Sequence, residues 1–508
     1  MAFLIESLSD LHQASMRLSR LLNSDPQRAV DEARQLRGKG AMRDSARALR
    51  GGILIDGGGH IQDRHAVLEG VQIFRRLVSD NGKEHTLRYN LANGLCQLGR
   101  LNETKGPDHY VATFSERREA RRIFQSVANE AEDWPRTAQA LINLGNELDY
   151  GYRWVEAYDR WTRALESDPA NTVAALSSAR MLLRRMQHDL HHPPSLHQVT
   201  GYYARLASRK ASVIQQIAGR HAMDLAMKLP TFRSSWRPRR LHQIKDESGR
   251  FVAEHRLALV GTVEGLDLRK KRWDDVQIPA ISEKLSAGPG VPPLFAMFNQ
   301  LKADFCAARW LAFSSEMHPP RDTSSYGDTL DYATYGIAPS LLVLAQRAAL
   351  DILDRVAVCA NEYFNFGSKP NEIHFRTFWR EKDGTGDWRP RLKEELEYWN
   401  PGIIALGELA SDLCEGGLLA LHRDLRNVGT HRFAVLHDMG REPSRPNPAV
   451  EHYEMEHFRD ETIETLRITR SAILYLRDAI ISRESRQKQD GPRLTLEVVP
   501  HHYIRGEG

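Results

Sequence analysis

An arginine, an asparagine and a histidine stand close together in LRNVGTHRFAVLHD, residues 425–438: Arg426, Asn427 and His431. On a helix, Asn427 and His431 are four residues apart and share a face, and the long side chain of Arg426 reaches the same edge. Such a set fits metal-free cleavage of a phosphodiester in RNA. That reaction needs a base for the ribose 2′-OH, an acid for the 5′-oxygen leaving group and a cation beside the charge that develops on the phosphorane. Histidine titrates near neutrality and serves as either acid or base. Arginine keeps its charge and presents a planar fork that matches phosphate oxygens. Asparagine orients the histidine or the phosphate. One set supplies one histidine, so base and acid together require two sets facing each other across a two-fold axis. Gly429 costs ~1 kcal/mol relative to alanine inside a helix, which points to a bend or a close backbone neighbour. The bland alternative for the same residues is a solvated helix face.

Rigid elements must carry such a site, and the C-terminal part of the chain supplies them. SLLVLAQRAALDILDRVAVCANEYFNFG (340–367) predicts a helix, with Leu341, Ala345, Ala348, Ile352 and Val356 at helical spacing and Gly367 as its C-cap. IHFRTFW (373–379) is a short aromatic element and EKDGTGDWRP (381–390) a loop. PGIIALGELASDLCEGG (401–417) predicts a second helix, opened by proline and closed by glycines. LLALHRDLRNVGTHRFAVL (418–436) predicts a third, and 450–483 a long last one with Met455, Phe458, Leu466, Ile473, Leu476 and Ile480 on one stripe. Four helices pack naturally as a bundle. Several further residues are candidates around the motif. His437 and Asp438 either position the site or end the third helix, with His437 near its C-terminal dipole. Asp354 and Asn361, polar positions on an apolar helix, either face the site or lie on the solvated side. Arg423 and Arg432 flank the motif as further RNA contacts.

The remainder of the 508 residues reads as more helices. Residues 138–171, AQALINLGNELDYGYRWVEAYDRWTRALESDPAN, place Leu144, Gly145, Ala157, Trp161, Ala164 and Pro169 at the small and large positions of a 34-residue helix–turn–helix repeat. A small residue lets the two helices approach, an aromatic fills the gap, and proline stops the second helix. Residues 87–99 and 118–135 read as the helices of another repeat, with an insertion near 101–116, and 65–78 as a further second helix. One repeat cannot bury its own apolar face, so the stack should run over 1–230 as a short solenoid with a concave surface for an unknown protein or ligand trigger. RGGILIDGGGH (50–60) lacks the GK[ST] of a phosphate loop and reads as a turn between helices. Residues 231–339 form a connecting region, within which 292–316 predicts one long helix. Two basic clusters beside tryptophans lie in this region: TFRSSWRPRR with Trp236, Arg239 and Arg240, and DLRKKRWDD with Lys270, Lys271 and Trp273. They suit phosphate pairing with base stacking, or an ordinary connector. The bundle takes 340–490, and 491–508 is a tail.

Composition narrows the classes. Hydrophobic content of 41% and charged content of 27% are those of an ordinary globular protein, and a formal charge of +4 does not by itself demand nucleic acid. Cys96, Cys306, Cys359 and Cys414 lie far apart with no CxxC, which argues against a disulfide framework and a cysteine-rich zinc site. No HExxH and no GxSxG occur, and the reading includes neither a metal nor a cofactor. The N-terminal MAFLIESLSDLHQASMRLSRLL has early acids and no long apolar run, so neither a secretory signal nor a membrane span is expected, and the cytoplasm is the default.

Helix–loop–helix followed by LRNVGTH resembles the HEPN domain family, whose R-x4-6-H motif commonly has asparagine after the arginine. Arg426, Asn427 and His431 match that motif residue by residue. LLVLAQRAALDILDRVAVCANEYF, IHFRTFW and THRFAVLHD resemble a HEPN subfamily fused to N-terminal tetratricopeptide-like repeats. The resemblance implies an all-α protein that cuts tRNA or mRNA without metal at a homodimer interface and leaves a 2′,3′-cyclic phosphate. It associates the chain with phage defence or toxin–antitoxin systems. The alternative it leaves open is an interaction scaffold whose HEPN bundle dimerises or binds a nucleotide without cutting.

Overall fold

The computed structural model describes all residues except 1–3, 83, 132, 190–194, 231, 239–240, 262–273, 285–289, 421–431, 440–446, 487–492 and 498–508. Helices make up most of the described chain, as expected. Short strands are added to them: β1 (Leu4–Ile5), β2 (Arg37–Gly38), β3 (Ile281–Lys284), β4 (Ala333–Thr334), β5 (Phe433–His437), β6 (Val450–Glu454) and β7 (Arg493–Leu496). None of the described helices is long and apolar enough to cross a membrane. The chain divides into two compact units, one of residues 1–150, 160–171 and 416–418, the other of 151–159, 172–415 and 419–508. The division falls inside the helix Trp154–Ser167 and not at residue 230.

The first unit is a succession of helices joined by short connections, among them Arg43–Ile61 with Arg64–Asp80 and His85–Arg100 with Phe114–Glu130. Gly145 and Trp161 meet as the repeat pattern requires. A Cβ on Gly145 would overlap the Trp161 indole, whose Nε1 donates to the Ile142 carbonyl at 3.2 Å. The glycine-rich run 50–60, expected as a turn, lies instead inside the helix Arg43–Ile61. Three of its glycines are contact points. An added Cβ would stand 2.9 Å from the Phe74 ring at Gly51, 2.6 Å from Val30 at Gly57 and 2.8 Å from Val67 at Gly58. Glycines weaken a helix by ~1 kcal/mol each, and Gly51, Gly57 and Gly58 permit an approach that a side chain would block.

The second unit is organised around the last helix, Met455–Glu484, which is buried on nearly every side. It packs against Ile337–Phe364, Pro401–Asp412 and Pro293–Met317. The last of these is the single long helix expected over 292–316. Three expectations fail here. The predicted helix 418–436 does not extend to its end: Phe433–His437 is strand β5, and 450–454 is strand β6 and not the first turn of the last helix. Both stretches are short runs of aromatic, β-branched and alternating residues, a pattern that periodicity alone does not separate from a buried helix. The helix Ile337–Phe364 is capped by Asn365, at φ 56°, and not by Gly367. In the sheets, β1 pairs with β2 in parallel and β3 with β7 antiparallel. β5 is the centre of a third sheet, antiparallel to β4 and parallel to β6.

Within this unit, buried charges tie residues 151–159 and 172–189 to the bundle. Arg153, with no exposed surface, is ion-paired with Glu156 and with Asp412, which is equally inaccessible. The Tyr475 hydroxyl donates to Glu156 at 3.1 Å. Asp478 accepts two bonds from the Arg185 guanidinium, at 2.6 and 2.8 Å, and one from the Trp154 indole at 2.7 Å. Arg477 pairs with Asp189 at 2.7 Å. Glu156 and Asp412 hold the Arg153 guanidinium more firmly charged than usual despite its burial, and burial holds the Tyr475 phenol protonated far above its ordinary range. Asp412→Asn should lower unfolding free energy by ~3–5 kcal/mol in urea titrations, because it leaves a buried cation undercompensated. His255 generates a second expectation. Burial, then Arg467 and Arg459, push it down to about 4 from 6.5. It is neutral in the fold and protonates more readily in the unfolded chain, so its stabilisation is present above pH ~6.5 and is lost as pH falls towards 4. His255→Gln should flatten that loss by roughly 1–3 kcal/mol, read from urea midpoints across pH 4–7.

Candidate functional site

The motif residues Arg426, Asn427 and His431, with Arg423, lie outside the described residues, and so do Arg239, Arg240, Lys270 and Lys271. What surrounds the motif segment is described on both sides. On the N-terminal side stands the helix Pro401–Asp412. Asn400 caps it, accepting from Ile403 N at 3.2 Å, and binds the Ala479 carbonyl at 3.1 Å through its amide nitrogen. Gly402 lies so close to the last helix that a Cβ would overlap the backbone of Tyr475 and Ala479. IHFRTFW packs on the same helix. Trp379 and Trp388 are buried, Gly407 makes room for the Trp388 ring, and Arg380 lies 4.3 Å over that ring while paired with Glu408 at 2.7 Å. At the far end, Asp412 spends its carboxylate on Arg153, and its carbonyl accepts from Leu419 N at 2.9 Å. The chain thus enters the motif segment from a fixed helix.

On the C-terminal side the chain passes directly into β5. Phe433 N donates to the Ala449 carbonyl at 2.8 Å, and Arg432 is ion-paired with Glu451 of β6. The register sets Phe433 opposite Val450 and His437 opposite Glu454 on β6, and Ala333 of β4 opposite His437. Leu436 of this strand joins Leu342 and Phe458 in a small core, with Tyr453 against it. At the strand's end His437 is 1% exposed. Its Nδ1 lies 2.9 Å from the Asp331 carbonyl oxygen and its Nε2 2.8 Å from His452 Nδ1. The Asp331 carboxyl sits below its usual range, chiefly because the Thr329 hydroxyl donates to it at 2.6 Å. Neither Asp331 nor His452 stands out in the sequence. His452 is one member of an alternating EHYE run, and only the pairing of β6 with β5 brings it to His437.

The other candidates take definite places. His437 is in a strand and not at a helix C-terminus, which removes the dipole alternative. Asp438 is exposed, and its backbone N donates to the Tyr332 carbonyl at 3.2 Å. Asn361 is buried and clasps Ser368, donating to its carbonyl and accepting from its N–H, both at 2.9 Å. Asp354 accepts from Phe375 N at 2.8 Å and so fixes the start of the aromatic element. Both therefore hold connections of the bundle in place. Trp236 is half-buried, its ring 5.1 Å from that of Tyr202, and the segment around it is strapped to the helix Ser195–Arg209 through Ser234 and Gln198.

Residues 285–483 match the family model of LA2681-like HEPN domains. No curated protein matches the chain. The match supports a HEPN-family domain over that stretch, which contains Arg426, Asn427 and His431. It begins ahead of Pro293–Met317, a helix that by pattern alone reads as part of the connecting region, so this helix belongs with the bundle. Asn361→Ala should lower stability by ~1–3 kcal/mol in urea denaturation, since it leaves both backbone groups of Ser368 without their partner.

Proposed function

We propose that the C-terminal HEPN domain is a metal-independent endoribonuclease. The carrying observation is the sequence Arg426-Asn427-x3-His431 inside the stretch that matches the HEPN model. His431 acts as general acid or base, Arg426 neutralises the phosphorane, and Asn427 positions one of them. A single copy offers one motif histidine, and the reaction needs both an acid and a base, so the working unit is a homodimer with two motifs on one phosphate. Attack by the 2′-oxygen displaces the 5′-oxygen and leaves a 2′,3′-cyclic phosphate. The small sheet beside the motif supports the dimer: Leu330, Tyr332 and Phe433 are exposed, at 81%, 52% and 73%, and exposed apolar side chains of this size suit a covering partner. Arg423 and Arg432 would help to hold the RNA, a tRNA or an mRNA. For Arg432 this means exchanging Glu451 for phosphate, and Trp236 would stack bases only by leaving Tyr202. The N-terminal helices act as a tetratricopeptide-like sensor that restrains cleavage until a trigger binds, as a toxin or phage-defence effector requires.

The test uses purified protein and His431→Ala with total tRNA and a mixed RNA pool in excess EDTA. Fragments with cyclic-phosphate ends should appear with the native chain and fall at least a hundredfold with the variant. Equal cleavage by both proteins would remove His431 from the mechanism. RNA left intact by both, together with no growth defect on expression in cells, would overturn the nuclease assignment in favour of a binding domain.

A further inference from the structure

The sheet that receives the chain from the motif carries a group of donors that RNA cleavage does not use. Leu436 and its register partner Tyr453 turn towards the core formed with Leu342 and Phe458. Alternation therefore sends Val435 and His437 to the other face, and His452, the register partner of Val435, shares that face. Asp331 joins them from just ahead of β4, whose Ala333 stands opposite His437. Two strands and the residues leading into a third thus bring two imidazoles and a carboxylate to one place.

The hydrogen bonds decide how His437 presents itself. The Asp331 carbonyl can only accept, so His437 Nδ1, 2.9 Å away, carries the proton. In the neutral ring Nε2 is then a bare lone pair, and it faces His452 Nδ1. A backbone carbonyl that fixes the tautomer and aims the second nitrogen is the arrangement that orients metal-binding histidines. One ligating atom from each of Asp331, His437 and His452 lies within 4.8 Å of the other two. The chain accepts strain to hold Asp331 there: Leu330 and Tyr332 on either side have φ of 58° and 60°, in the left-handed region that disfavours side chains.

We infer that Asp331, His437 and His452 form a binding site for one divalent first-row transition ion, with zinc as the best fit. Two neutral imidazole nitrogens and one carboxylate are a borderline-soft N2O set, and tetrahedral zinc would keep its fourth position for water or a further ligand. Ligand distances of ~2.0–2.1 Å need the two nitrogens ~3.3 Å apart, so the rings open by about half an ångström from the 2.8 Å at which they stand. The ion clasps β4, β5 and β6 where the chain leaves the motif, and it takes no part in the proton transfers. In its absence His452 Nδ1 donates a hydrogen bond to His437 Nε2.

The test needs no RNA, so its outcome is independent of whether the chain cuts RNA. The full-length protein is stripped with a chelator, desalted and titrated with Zn2+ against a chromophoric competitor, and in parallel with Co2+ to read the visible absorption of its ligand field. The native chain and His457→Gln, which changes an exposed neighbouring histidine outside the group, should each bind one equivalent. His452→Gln and Asp331→Asn should bind at least tenfold more weakly and lose the Co2+ bands, with unchanged circular dichroism of the metal-free forms. Should one variant fail to fold, the other carries the comparison. Absence of stoichiometric binding by the native chain would overturn the inference and leave a plain histidine–histidine hydrogen bond, and so would equal binding by the folded variants.

Discussion

The second unit depends on charge that cannot reach water. Arg153 has no exposed surface, and removing a guanidinium from water costs several kcal/mol unless carboxylates stand at contact distance. Glu156 and Asp412 are those carboxylates, and each is fixed in turn, Glu156 by the Tyr475 hydroxyl and Asp412 by its place at the end of a buried helix. Asp478 repeats the arrangement one turn along the last helix, with Arg185 and Trp154. Such pairs add little net stability over apolar packing. Their force lies in the penalty for any other arrangement, because a shift of register by one residue would leave a buried charge alone. The helix Pro401–Asp412 is therefore held in one position along its axis, and so is the point at which the chain departs for the motif.

The proposed cleavage motif stands between two described elements. Arginine, asparagine and histidine are useful only when their polar atoms meet one phosphate within a fraction of an ångström. Eleven residues, 421–431, carry them between Leu419, bonded to Asp412, and Arg432, bonded to Glu451 at the start of β5. Both ends are set by elements whose positions follow from buried interactions. On one side these are ion pairs, and on the other a sheet with its Leu436 face sunk in the core.

Much of this was legible in the sequence, and the failures have physical causes. The long helices announced themselves by periodicity and caps, and Gly145 with Trp161 by complementary size. The motif was read from three residue types at one spacing, and Arg426, Asn427 and His431 lie outside the described residues. The glycines of 50–60 misled because glycine both breaks helices and lets them touch, and local sequence does not say which. FAVLH misled because a four-residue apolar run fits a buried strand as well as a helix. The ion network was out of reach altogether: Arg153 and Asp412 are 259 residues apart and Trp154 and Asp478 are 324, and nothing local marks any of them as a partner. Asp331 and His452 were silent for the same reason, since neither has meaning until β4 and β6 flank β5.

The parallel pairing of β5 with β6 brings His452 beside His437. Parallel neighbours require a crossover, and here it takes residues 438–449 before the last helix can begin. A helical bundle has no need of such a detour for stability, since two short strands bury little. The detour turns one face to the core and leaves the other to polar side chains, so that His437 is buried without being apolar in its contacts. Strand β5 follows the motif segment in the chain. Closing that strand with paired imidazoles fixes its far end.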